Sequence, residues 1–121
     1  MKKVLIVDDA PMVLKILDMA LSMEGYEVTK AGNGNEALDR IKEQKFDVGI
    51  FDVNMPGMTG IELIPKALSL PNGKDMQIVM LTTESSQEMQ KQARDAGASA
   101  WIIKPFKNDD LINLLGELLE D

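Results

Sequence analysis

The sequence predicts an α/β fold: a doubly wound parallel sheet of five strands in the order 2-1-3-4-5, flanked by five helices. Short apolar runs alternate with longer segments of helical spacing along the whole chain. Alternation of this kind builds a parallel sheet with helices on both faces. Four of the runs are continuously apolar, as strands buried on both faces are. Right-handed crossovers leave few topologies, and 2-1-3-4-5 is the expected one for five strands.

The elements follow in order. Val4-Leu5-Ile6-Val7 is the first strand, and Val13, Leu14, Leu17, Ala20 and Leu21 stripe the first helix, which Gly25 ends. Tyr26 to Ala31 alternates apolar with polar, so the second strand is expected at an edge with one wetter face. Asn33 and Glu36 form a capping box for a second helix marked by Ala37, Leu38 and Ile41. Val48-Gly49-Ile50-Phe51 is the third strand. Thr59 and Glu62 box the start of a third helix with Ile61, Ile64 and Leu68 on its stripe. Pro65 lies inside that pattern, so this helix is expected to begin late or to bend. Ile78-Val79-Met80-Leu81 is the fourth strand. The fourth helix, boxed by Ser85 and Glu88, has a weak stripe of Met89, Ala93 and Ala96 and stops at Gly97. Ala100-Trp101-Ile102-Ile103 is the fifth strand, and Leu111, Leu114, Leu115 and Leu118 mark the last helix. Residues 1–121 are expected to form one domain, since 121 residues suffice for one core and not two.

Composition narrows the chemistry. There is no Cys and no His, which excludes disulfides, thiolate and imidazole catalysis, and Cys/His zinc sites. Any metal must sit on oxygen, which favours a hard cation such as Mg²⁺ or Ca²⁺. A net charge of −7 argues against sequence-independent nucleic-acid binding and suits protein partners. No apolar run is long enough for a bilayer, and the N-terminus does not resemble a secretory signal, so a cytoplasmic setting is expected.

The informative residues end the buried strands. Asp8 and Asp9 follow the first, Asp52 the third, Thr82 closes the fourth, and Lys104 follows the fifth. All four endings lie on one edge of the sheet, and ligands bind in the crevice beyond the carboxyl ends where the strand order reverses. Three carboxylates crowded there repel, by about 4 kcal/mol for two like charges at ~4 Å and an effective dielectric near 20. A divalent cation and the Lys104 ammonium offset the repulsion. Mg²⁺ takes one or two carboxylates, keeps waters and binds phosphoryl oxygens. Thr82 offers a hydroxyl donor, and an Asp carboxylate can accept a phosphoryl group as an acyl phosphate. Taken singly, the residues have plainer readings. Asp8 or Asp9 can cap the first helix ahead of Pro11, Thr82 and Trp101 can be strand packing, and Lys104 can be a solvated charge. Gly57 and Gly60 read as turn residues, the nine Met as core filler and helix formers, and residues 117–121 as a solvated helix face.

The set Val7-Asp8-Asp9, Phe51-Asp52-Val53-Asn54-Met55-Pro56-Gly57-Met58, Leu81-Thr82-Thr83-Glu84 and Trp101-Ile102-Ile103-Lys104-Pro105-Phe106 resembles response-regulator receiver domains, above all the single-domain chemotaxis type. The resemblance covers essentially the whole chain. Such domains are themselves examples of the flavodoxin-like 2-1-3-4-5 order. The resemblance implies a phosphorylation switch rather than an enzyme with a separate substrate. Asp52 would be the phosphoacceptor, with Lys104 and Thr82 assisting. Asp9, Asp52 and the Asn54 backbone carbonyl would hold Mg²⁺, with Asp8 acting through a water. Thr82 and Trp101 would be the switch pair, and Asn54 and Glu84 would tune dephosphorylation. The Lys104–Pro105 bond would be cis. Implied partners are a histidine kinase as phosphodonor and a protein target of the face formed by the fourth helix, fifth strand and fifth helix. For the chemotaxis type the flagellar motor switch is such a target, and the chain is implied to be a monomer. Pro65 and Thr83 depart from the family pattern.

Three rivals weigh against this. The chain can be a receiver unit of a larger regulator such as a transcription factor. A flavodoxin-like flavin carrier shares the fold class, but Asp8-Asp9-Ala10-Pro11 would repel its phosphate. A haloacid-dehalogenase-type phosphohydrolase expects Asp-x-Asp after its first strand. An inert pseudo-receiver would not keep Asp9, Asp52, Thr82 and Lys104 together.

Overall fold

The computed structural model describes residues 1–119. The elements are β1 Lys3–Val7, α1 Pro11–Met23, β2 Glu27–Ala31, α2 Gly34–Glu43, β3 Val48–Phe51, α3 Gly60–Ser69, β4 Gln77–Thr82, α4 Gln87–Ala96, β5 Ala100–Ile103 and α5 Asn108–Leu118. The sheet is wholly parallel and runs β2-β1-β3-β4-β5, the expected order.

Alternate residues of each strand face opposite sides, and the core divides accordingly. Leu5, Val7, Phe51, Ile78 and Met80 pack against α2, α3 and α4 through Ala37, Ile41, Leu63, Ile64, Ala67 and Ala93. Val4, Ile6, Val48, Ile50, Val79 and Leu81 pack against α1 and α5 through Leu17, Leu21, Leu111 and Leu115. The central strands are thus apolar on both faces because both faces carry helices. β5 differs from expectation: it is the far edge, its first three residues are only half-buried and Ile103 is exposed. A short apolar run does not reveal that its outer neighbour is solvent.

The helix starts follow side-chain caps where the sequence offers them. Thr59 and Glu62 make the full reciprocal box. Asn33 caps α2 through the Glu36 N–H, but the Glu36 carboxylate reaches back to Gly32 rather than to Asn33. The Ser85–Glu88 box is not formed. Ser86 is the N-cap and accepts from the Met89 N–H, so the adjacent serine competes successfully for the same role. α3 does not begin late: it starts five residues before Pro65 and runs through it. The capping box fixes its first turn, and buried Leu63, Ile64 and Ala67 flank the exposed proline.

Methionines divide between two roles. Met55, Met76 and Met80 are buried, whereas Met12, Met19 and Met23 lie with Ile16 on the exposed face of α1, opposite Leu17 and Leu21. At the chain end Glu117 is exposed, while Leu118 and Leu119 pack on the core; Glu120 and Asp121 lie outside the described residues. No helix among the described residues is long and apolar enough to cross a membrane.

Gly116 gives a simple stability test. It is exposed in the interior of α5, and a Cβ there would meet nothing within 4 Å. Gly116→Ala is expected to stabilise by about 0.5–1 kcal/mol, since glycine loses the most backbone freedom on folding. Thermal melts check it, and a lowered midpoint would show that α5 does not hold this residue as helix.

Candidate functional site

Pairing in the sheet brings the candidate residues together. Val7 pairs with Phe51 across β1 and β3, so Asp8 and Asp52, the next residues, emerge side by side. Backbone bonds continue past the strands: the Asp52 N–H donates to the Val7 carbonyl at 2.9 Å and the Asp8 N–H to the Ala31 carbonyl at 3.2 Å. Thr82 pairs with Ile103, and the Lys104 N–H donates to the Thr82 carbonyl at 2.8 Å. Four strand ends therefore deliver Asp8, Asp52, Thr82 and Lys104 to one crevice.

Asp8 is 3% exposed and Asp52 7%, while Asp9 is exposed. One carboxylate oxygen from each of the three lies within 4.8 Å of the others. Lys104 Nζ is 2.8 Å from Asp8 Oδ2 and 3.6 Å from Asp52 Oδ2. The ammonium thus hydrogen-bonds to Asp8, not to Asp52 as the resemblance implied. Asp8 uses its other oxygen to accept from the Ala10 N–H at 2.9 Å. The N-cap of α1 is Ala10, without a side-chain cap, and Pro11 opens the first turn. Helix capping therefore does not account for Asp8 or Asp9.

The acid cluster is electrostatically uneven. Burial, and next the neighbouring Asp8 charge, raise the Asp52 pKa above its ordinary value; Lys104, the Thr82 hydroxyl and the Asn54 N–H only partly oppose them. Every fixed donor on these carboxylates is nitrogen or hydroxyl, and every atom offered outward is oxygen. That set fits a hard dication, and Asp9 at the rim leaves it an open side.

Glu84 joins the site to the switch residues. Its N–H donates to Thr82 Oγ1 at 3.3 Å, its carboxylate accepts from Asn54 Nδ2 at 3.1 Å, and its carbonyl accepts from Trp101 Nε1 at 2.9 Å. Trp101 is half-buried against the α3–α4 side of the core. Two of these three bonds use backbone atoms, which carry no sequence signal, so only Asn54 and Glu84 themselves were legible. The Lys104–Pro105 bond is cis. Gly57 is a turn residue at φ +83°, but Gly60 is more than that: a Cβ on it would run into the Asp52 backbone carbonyl.

Comparison with known proteins agrees with this geometry. The family "response regulator receiver domain" matches residues 4–116. The chemotaxis protein CheY of Thermotoga maritima is 37% identical over 119 residues, 97% of each chain. The probable transcriptional regulatory protein TcrX of Mycobacterium tuberculosis is 33% identical over 116 residues, 96% of this chain and 49% of that protein. The structure of the Thermotoga maritima response regulator TrrA in complex with Mg²⁺–BeF superposes with a TM-score of 0.86 at 34% identity, over 98% of this chain and 100% of that one. A match across nearly the whole length, joined to acids and a lysine at the same strand ends, makes this chain a member of the response regulator receiver family.

Proposed function

We propose that residues 1–121 work in the cytoplasm as a phosphorylation switch in which Asp52 takes a phosphoryl group from a phosphohistidine of a histidine kinase. The observation that carries this is the convergence of Asp8, Asp9 and Asp52 within 4.8 Å around the Lys104 ammonium. A carboxylate oxygen of Asp52 attacks phosphorus, the P–N bond to the donor imidazole breaks, and a P–O bond forms. Asp9, Asp52 and the Asn54 carbonyl would hold Mg²⁺, with Asp8 acting through a water. When bound, the ion neutralises charge on the phosphoryl oxygens. Lys104 supplies a second positive charge, and Thr82 donates its hydroxyl. Asn54 and Glu84, hydrogen-bonded to each other over the crevice, stand where water would approach the acyl phosphate.

The signal leaves through Thr82. Turning its hydroxyl toward the phosphoryl group gives up its bond from the Glu84 N–H, and Glu84 holds Trp101 by its carbonyl. Movement of this segment shifts Trp101 and with it the α4-β5-α5 face that a protein target reads. Near-full-length similarity to a chemotaxis protein favours a target such as the flagellar motor switch. Similarity to a receiver-bearing transcriptional regulator, about half of whose length this chain spans, supports a second reading as the input unit of such a protein.

Trp101 is the single tryptophan, so its fluorescence reports the switch directly. Beryllofluoride with Mg²⁺ is expected to change its emission and to retain a partner in a pull-down that the untreated chain does not. Unchanged emission and an unchanged Trp101 rotamer would sink the coupling.

A further inference from the structure

We infer that Lys104 is the resident counter-cation of the acid cluster, and that its bond to Asp8 and the binding of Mg²⁺ exclude one another. This rests on the receiver reading above and adds a positioning role for Lys104 before any phosphoryl group arrives. Asp8 has both oxygens engaged, Oδ1 by the Ala10 N–H and Oδ2 by Lys104 Nζ at 2.8 Å. It is also the most buried of the three acids. The ammonium stands 3.6 Å from Asp52, beyond hydrogen-bond reach but within the same cage. Backbone does not have to move for it to change partner. The Lys104 N–H is fixed to the Thr82 carbonyl at 2.8 Å, and the acids' oxygens lie within 4.8 Å of one another.

A dication among these oxygens repels the ammonium twice as strongly as a second ammonium would. Lys104 therefore releases Asp8 as the metal loads and turns toward Asp52, which places its charge where the phosphoryl oxygens will form. Asp8 is freed in the same step to accept from a metal-bound water. Lys104 thereby lowers the apparent Mg²⁺ affinity, because the metal must first displace it.

The test is isothermal titration of Mg²⁺ into the full chain and into Lys104→Met, with thermal melts of both with and without Mg²⁺. Methionine keeps the stem length and removes the charge. The variant is expected to bind Mg²⁺ about tenfold more tightly, equivalent to about 1.4 kcal/mol, and to gain more in melting temperature from it. A measurement on the unaltered chain guards against misfolding of the variant. The NMR signals of the Lys104 ε-methylene are expected to shift with the same midpoint as metal binding. Equal or weaker binding by Lys104→Met, or Lys104 signals that stay fixed through saturation, overturns the inference. If Asp52 is still labelled by acetyl phosphate in that case, the phosphoacceptor reading stands. A wild-type chain that binds no Mg²⁺ overturns both.

Discussion

Asp52→Asn is expected to lose all labelling by acetyl phosphate while melting at a higher temperature than the parent chain. The loss follows from chemistry: an amide oxygen is a far weaker nucleophile than a carboxylate and forms no stable acyl phosphate. Neither Asp8 nor Asp9 substitutes. Asp8 has both oxygens held by donors, and Asp9 lies at the exposed rim, away from the buried acids that Lys104 faces. Undiminished labelling, located by mass spectrometry of the reduced acyl phosphate, would move the acceptor elsewhere.

The gain in stability follows from the direction of the Asp52 pKa. Burial and the Asp8 charge raise it above the ordinary 3.8, so the folded chain holds a proton there more readily than the unfolded chain does. Between those two values the folded state binds more protons, and stability falls as pH rises through the window. Above the window the charge penalty is present in full; below 3.8 both states are protonated and it vanishes. The amide of the variant carries no such charge. With a chelator present, the variant should therefore exceed wild type by a few degrees at neutral pH, and the gap should close as pH is lowered toward 4. A gap that stays constant or widens on acidification contradicts the assigned cause. Loss of function with gain of stability marks a residue kept for its chemistry.

Most of the fold was legible because it rests on patterns that side chains carry. Continuous apolar runs located the inner strands, helical stripes located the covering helices, and the residues that end each strand located the crevice. What escaped the sequence was decided between near-equivalent local partners or by neighbours in space. Ser85 and Ser86 are both able caps for α4, and only the path of the chain selects the second. Ile103 looks like Ile50 in sequence, yet no strand lies beyond it among the described residues. Lys104 was correctly placed in the cluster, but its choice of Asp8 over Asp52 turns on less than 1 Å. The Glu84 carbonyl under the Trp101 indole is invisible because every residue has a carbonyl.

Gly60 belongs to the same class, and the consequence of changing it is large. It is the first residue of α3, with its N–H donating to the Val53 carbonyl at 3.0 Å. That bond draws the helix start against the backbone of the phosphoacceptor. A Cβ at Gly60 would overlap the Asp52 carbonyl oxygen and carbon, with the Met80 methyl also at 3.0 Å. Met80 is a flexible side chain and can yield; the Asp52 carbonyl is main chain and cannot move without carrying its carboxylate along. Gly60→Ala is therefore expected to destabilise by about 1–3 kcal/mol, the usual range for overpacking, and to slow labelling of Asp52 in the fraction that remains folded. The contrast is Gly57→Ala, which has open space around its Cβ and only a positive φ to oppose it. That variant should lose about 1 kcal/mol and keep its labelling rate. Melts and labelling rates of the two variants separate the causes. Backbone strain in a turn lowers stability alone, whereas a displaced Asp52 lowers both. If Gly60→Ala labels as fast as the parent, α3 is not what holds Asp52 in place.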